Sequence, residues 1–276
     1  MTYANLHLHL SAHLAPAPTT AIDYACEAAK LLEATLSVSS ARLPTYAPTA
    51  VADSVAMTRL VVSLEQSVTQ EAARLSAYVV EKAQKCGIAI RLADADEQAF
   101  NGAAGDCWQG RVSDLCILGL SSETDMRQVA EDWLFGSGRP CLLYPERSER
   151  AFALNNVLVC WDYSRTAARA VADALPLLHN AGKIHVVVFG DDKSVPRDAI
   201  ADLGRFLSGH GIPYSAATVD CGGRTIGEAM REHAAKTEAD IIVMGGYGQS
   251  RAREFVLGGA TREMLQRSAI PLLMSH

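Results

Sequence analysis

One six-residue pattern occurs twice in this chain of 276 residues, and that repetition constrains the fold more than any other feature. Asp114 to Gly119 reads D-L-C-I-L-G, and Asp240 to Gly245 reads D-I-I-V-M-G. Downstream of each, Arg139 to Leu143 (R-P-C-L-L) parallels Ile270 to Met274 (I-P-L-L-M). An acid followed by an unbroken apolar run of this length is the mark of a strand buried on both faces of a parallel sheet. Two such strands with the same sequel predict two copies of one α/β unit, with boundaries at residues 1–145 and 155–276. Glu146 to Leu154, charged and without a strand pattern, reads as the linker between them.

Strand-like and helix-like segments alternate in both copies. In the first, Asn5 to Leu10, Leu36 to Ser40, Ile88 to Leu92, Asp114 to Gly119 and Pro140 to Tyr144 are expected strands. Pro18 to Ala34, a long helix ending near Cys86, Phe100 to Arg111 and Met126 to Phe135 are expected helices, and Pro44 to Ala56 is a proline-containing loop. In the second, strands fall at Val157 to Trp161, Ile184 to Phe189, Tyr214 to Val219, Ile241 to Met244 and Pro271 to Met274. The helices between them are Arg165 to Leu178, Arg197 to Gly209, Thr225 to Lys236 and Gly259 to Arg267. Such alternation gives right-handed crossovers and a parallel sheet covered by helices on both faces. Ligands of such sheets sit beyond the carboxyl ends of the strands.

At that edge the second copy carries a glycine loop. Gly245, Gly246 and Gly248 follow its fourth strand, and Gly258 and Gly259 precede a helix, so backbone N–H groups and a helix N-terminus can face an anion. The loop is neither a Walker A sequence nor a dinucleotide fingerprint, because it has no G-K-[ST] and Arg251 replaces the last glycine of G-x-G-x-x-G. The first copy is shorter here: its glycine and proline lie at 119 and 140, against 245 and 271 in the second. Leu10-Ser11-Ala12 stands where the second copy has Asp162. The first copy is therefore expected to bind no nucleotide.

Gly245, Gly248 and Gly258 form G-x-x-G, nine residues, then G. With the D-I-I-V-M-G strand before it and the S-R-x-R-E-F-V-L-G-G run from Ser250 to Gly259, this resembles the ATP-binding motif of the universal stress protein family. The resemblance implies two tandem Rossmann-like domains of the adenine nucleotide alpha hydrolase type, each with a five-stranded parallel sheet. It implies ATP or a related adenine nucleotide, with or without magnesium, in the C-terminal unit and a role in stress response or signalling. Asp162 would contact the nucleoside, and Val188 and Phe189 would offer an apolar surface and backbone bonds to adenine. Met244, Gly245, Gly248, Ser250, Arg251, Gly258, Gly259, Ala260 and Thr261 would surround the phosphates.

Other roles stay open for several of these residues: a cap or turn for Asp162, core packing for Val188 and Phe189, a solvated face for the arginines. The family often places Ser or Thr directly after the last glycine, where this chain has Gly259. Losing a hydroxyl that bonds a charged phosphate costs roughly 1.5–3 kcal/mol, about ten- to a hundredfold in affinity. Thr261 is the nearest replacement. The resemblance also implies dimerisation through the last strands. A tandem chain can do this internally, as a pseudo-dimer, through Cys141 to Tyr144 and Leu272 to Met274, with a further homo-dimer left open.

The remaining chemistry is sparse. His7 and His9 share a strand face but have no adjacent acid or thiol, so packed histidines are expected rather than a metal site. The seven cysteines contain no C-x-x-C pair and read as buried thiols. No nucleophile or general base stands beside the glycine loop, so no enzyme is expected beyond slow ATP hydrolysis. The net charge of −6 is spread along the chain, which argues against a nucleic-acid surface. No run approaches the ~20 apolar residues of a membrane span, and no basic, apolar leader opens the chain, so a cytoplasmic protein is expected. A nucleotide-independent interaction module with the same fold is the alternative function.

Overall fold

A computed structural model describes residues 2–12, 18–42, 55–93, 107–120, 124–145, 148–190, 198–247 and 259–276. The elements up to residue 145 are β1 (Asn5–Ala12), α1 (Thr20–Leu31), β2 (Thr35–Arg42), α2 (Val55–Cys86), β3 (Ile90–Leu92), α3 (Cys107–Gly110), β4 (Leu115–Leu120), α4 (Thr124–Gly136) and β5 (Cys141–Pro145). After them come β6 (Asn156–Cys160), α5 (Arg165–His179), β7 (Lys183–Phe189), α6 (Ala199–Gly209) and β8 (Ser215–Val219). The chain continues through α7 (Ile226–Lys236), β9 (Ile241–Gly245) and α8 (Ala260–Arg267) to β10 (Leu272–Ser275). Of the helix expected over Phe100 to Arg111, Cys107–Gly110 is seen as α3, Arg111 lies in the following turn, and residues 100–106 fall outside the described set.

The ten strands form one sheet in the order β3-β2-β1-β4-β5-β10-β9-β6-β7-β8. From either end, each group of five repeats the same order, third-second-first-fourth-fifth. Pairing is parallel within each group, and β5 meets β10 antiparallel, with Cys141, Leu142 and Leu143 opposite Met274, Leu273 and Leu272. The inner strands are apolar throughout; all six residues of β4 and all five of β5 are buried. That is why they read as continuous apolar runs rather than alternating ones.

Each face of the sheet carries one core that crosses the β5–β10 seam. On one face α1, α2, α5 and α6 pack over Leu6, Leu8, Leu142, Val157 and Leu273. On the other, α3, α4, α7 and α8 pack over Leu118, Leu143, Leu158, Met244 and Met274. Strand β1 divides between them. Its leucines join the first core, while His7 and His9 lie against Trp133 of α4 at ring distances of 5.2 and 4.6 Å. Ser39 bridges them, its Oγ 2.9 Å from His7 Nε2 and 3.2 Å from His9 Nδ1. Burial pushes His7 down to about 4. Burial and then the neighbouring His7 push His9 to about 3, so both rings are neutral at pH 7.

Residues 148–154 of the expected linker are packed against the fold. Phe152 and Leu154 are buried, Phe152 meets Tyr24 edge-on at 5.2 Å, and its N–H donates to Glu27 Oε2 at 3.0 Å. Tyr144 OH donates to Ser148 O at 2.7 Å, tying the same stretch to β5. A further contact crosses the seam: Tyr3 OH donates to Asp173 O at 2.5 Å, while within the second half Ser275 Oγ donates to Asp173 Oδ2 at 2.9 Å. All seven cysteines are free thiols.

Candidate functional site

The carboxyl end of β9 is built against the start of α5. A Cβ on Gly245 would lie 2.5 Å from the Ala167 amide nitrogen and 2.6 Å from Thr166 Oγ1, so only glycine fits there. Gly246 N–H then donates to Ser275 O at 2.9 Å. Tyr247 turns the chain with φ +53°, a left-handed conformation that a non-glycine residue holds only when its surroundings impose it. Its N–H donates to Thr261 Oγ1 at 3.2 Å. Gly248, Ser250, Arg251 and Gly258 lie outside the described residues.

The chain is described again at Gly259, which caps α8 without a side-chain bond, and Ala260 begins that helix. Thr261 is buried, its hydroxyl oxygen accepting from the Tyr247 amide. Helix α8 is fixed through Glu263, which accepts from Thr225 Oγ1 at 2.6 Å and from Arg231 Nη2 at 2.7 Å. Burial raises the Glu263 carboxyl, but those two bonds and the Arg231 charge outweigh it and hold it below its ordinary value. Tyr247 and Thr261 thus meet at one place.

Asp162 lies two residues beyond β6 and is exposed. Its Oδ1 accepts from Ser164 N–H at 2.9 Å, while Ser164 Oγ caps α5 by accepting from Ala167 N–H at 3.1 Å. Asp162 is therefore a turn residue, and Ser164 is the cap. Tyr163 between them has φ +61° and donates its OH to Asp202 Oδ2 at 2.9 Å. Burial first, then the charge of Asp162, push the Cys160 thiol above its ordinary range, which marks the acid as close to the strand end. Ser164 Oγ is 3.2 Å from Thr166 Oγ1, the atom that crowds Gly245, so Asp162, Ser164, Thr166 and Gly245 form one contiguous edge.

Val188 and Phe189, at the end of β7, are both buried, on opposite faces. Phe189 meets His233 edge-on at 5.7 Å. Met244 is buried in the same core as Phe189. These three side chains pack the edge from below. A cleft of about 360 Å³ opens beside Asp162, between α5 and α6, walled by Trp161, Tyr163, Leu203 and Phe206 with Arg165 and Asp202 at its rim.

Register locates the corresponding place in the first half. His7 pairs with Cys116 and Ser37, as Leu158 pairs with Ile242 and His185. Ser11 thus occupies the position of Asp162, and Gly119 that of Gly245. The first half thus has a serine where the second has its carboxylate, and His9 and Ser39 fill the places of Cys160 and Val187. Among the described residues no group of three His, Cys, Asp or Glu side chains could hold a metal, and no helix is long and apolar enough to cross a membrane.

Sequence reasoning missed Tyr247, Thr166 and Ser164 on the second half, and Glu131, Leu134 and Phe135 of α4, which meet Gly246 and Tyr247 from the first half. The positive φ of Tyr247 leaves no mark in composition, and its partners on α4 lie more than a hundred positions away. The doublet Gly245-Gly246 was the one local signal that this turn is crowded from both sides.

A glycine-ended strand, an acid on the neighbouring strand and a helix N-terminus at one edge of a doubly covered parallel sheet define a Rossmann-like α/β protein. Residues 154–276 match the model of the universal stress protein family. A curated relative, "Universal stress protein Slr1230" of Synechocystis, is 27% identical over 190 residues; the match covers 61% of this chain and 60% of that protein. A universal stress protein from Archaeoglobus fulgidus superposes with a TM-score of 0.73 at 16% identity, covering 98% of this chain and 95% of that one. A putative universal stress protein from Pseudomonas aeruginosa does so with a TM-score of 0.55 at 12% identity, covering 99% and 93%. Both share the fold of the whole chain.

Proposed function

We propose that this chain is an adenine-nucleotide-binding stress or signalling protein, with ATP held at the carboxyl edge of the second half. The observation that carries the reading is the meeting of Gly245, Asp162 and the N-terminus of α8 at one edge, joined through Thr166 and through the Tyr247–Thr261 bond. Asp162 offers an exposed carboxylate to ribose hydroxyls, and the amides around Gly259 and Ala260 offer donors to phosphate oxygens. Magnesium, if it accompanies ATP, would be held by the phosphates rather than by protein ligands. This reading assigns Asp162 to the ribose and no residue to a general base, and slow hydrolysis at most is expected. The first half serves as a built-in partner, the antiparallel β5–β10 pair standing where two separate chains would dimerise.

One observation favours the second reading, a nucleotide-independent interaction module. Thr261 is buried beneath the Tyr247 turn, so it is not a ready replacement for the hydroxyl missing at Gly259. One experiment decides. The purified protein is denatured, any released nucleotide is identified by chromatography, and the stripped protein is titrated with ATP by calorimetry. One nucleotide per chain, lost in Gly248→Val, is the expected result. Absence of heat up to millimolar ATP in a folded protein would refute binding and leave the interaction module.

A further inference from the structure

The entrance to the glycine loop is held by both halves of the chain. From its own half, Ser275 O accepts from Gly246 and Thr261 Oγ1 accepts from Tyr247. From the other half, three residues of α4 reach it. Glu131 Oε1 accepts from Tyr247 OH at 2.6 Å, the Phe135 ring lies 5.2 Å from the Tyr247 ring, and Leu134 Cδ2 lies 2.7 Å from where a Cβ on Gly246 would be. Glu131, Leu134 and Phe135 fall at i, i+3 and i+4, one stripe of a helix. Arg127, one turn earlier on that stripe, lies 3.6 Å from Glu131. The C-terminal turn of α4 reaches this edge because β5 and β10 run antiparallel, which puts the amino edge of the first half beside the carboxyl edge of the second.

A tyrosine at φ +53° does not hold that conformation by its own preference. Its hydroxyl, ring and amide are each fixed, and two of those three attachments belong to α4. We infer that Tyr247 is a positioning residue through which helix α4 of the first half sets the entrance of the phosphate loop, so that nucleotide affinity in the second half depends on the first. The inference rests on the nucleotide reading above for its ligand, but its geometry is independent of it. Linkage makes the dependence reciprocal: a nucleotide bound at this edge also tightens the seat of α4.

The test uses the full chain and two readouts. By calorimetry, Tyr247→Phe, which keeps the ring and loses the hydroxyl, is expected to weaken ATP binding about tenfold, the loss typical of one hydrogen bond to a charged group. Glu131→Ala should do the same, Glu131→Gln should restore most of the affinity because its amide oxygen still accepts, and the double variant Tyr247→Phe/Glu131→Ala should lose no more than either single one. Asp132→Asn, which on the same helix touches Gln128, should change nothing. The second readout is hydrogen exchange at Gly246 and Tyr247 in nucleotide-free protein, expected to quicken in Tyr247→Phe and Glu131→Ala. Unchanged affinity in both variants overturns the inference. If the wild type binds no ATP, the nucleotide reading falls and exchange decides alone: faster exchange at these two amides upholds the positioning role, and unchanged exchange overturns it.

Discussion

Acid should unfold this protein through the first half, and the size of the effect follows from two histidines. His7 and His9 are buried against Trp133 and stay neutral in the fold down to about 4 and about 3, whereas an unfolded chain protonates them near 6.5. As pH falls below 6.5 the unfolded state takes up protons first. Stability is therefore lost from that point downward, and the loss levels off only below the folded-state values. At pH 5 the solution is about 1.5 units below the unfolded value, so each ring costs about 2 kcal/mol and the pair about 4 kcal/mol relative to pH 8. That is a large part of the ~5–15 kcal/mol that holds a typical domain together. The second half supplies the control, since it places Leu158, Cys160 and Val187 where the first has His7, His9 and Ser39. Urea midpoints at pH 8 and pH 5, for wild type and for His7→Leu/His9→Cys/Ser39→Val, check it. The variant should lose about 4 kcal/mol less between the two pH values. Equal losses would refute the assignment of acid sensitivity to this pair.

Three other outcomes follow from the geometry. Gly245→Ala would bring a methyl group within 2.5 Å of the Ala167 nitrogen, a backbone atom that cannot rotate away, and should destabilise the protein by about 1–3 kcal/mol in a thermal melt; an unshifted midpoint would mean that β9 and α5 part easily. Asp162→Asn keeps an oxygen for the Ser164 amide and should leave the melt unchanged, whereas Asp162→Ala should lose that turn and weaken ATP binding about tenfold by calorimetry. Leu273→Pro removes an amide from β10, opposite Leu142, at a cost of about 3 kcal/mol or more, and should split one cooperative calorimetric transition into two.

Much of the fold was legible because its strands are buried on both faces. The runs 115–120 and 241–245 have no polar residue to interrupt them, and the acids before them lie outside the sheet. Gly245 was legible as well, although its glycine is required as much by Thr166 and Ala167 as by any anion. Other features depended on contacts that no local pattern encodes. Alternating His7-Leu8-His9 reads as a strand with one polar face, but what buries that face is Trp133, more than a hundred positions on. The charged stretch from Glu146 read as a linker, yet Phe152 and Leu154 dock it against α1 and the sheet. Tyr247 looked like an ordinary loop residue because Glu131 and Phe135 belong to the other half. Local sequence reports how a segment meets solvent on average; it does not report which distant helix covers it.

The antiparallel meeting of β5 and β10 also has a consequence for concentration. Two separate chains joined along one edge strand come apart on dilution, and any site that depended on the partner would weaken with them. Here both strands belong to one molecule and a packed segment of chain connects the two halves, so each strand meets the other at a fixed local concentration. Whatever α4 contributes to the glycine loop is supplied one-to-one in every molecule, at nanomolar as at millimolar protein. On the nucleotide reading, occupancy of that loop would then report the concentration of the nucleotide alone, undistorted by the abundance of the protein that reads it.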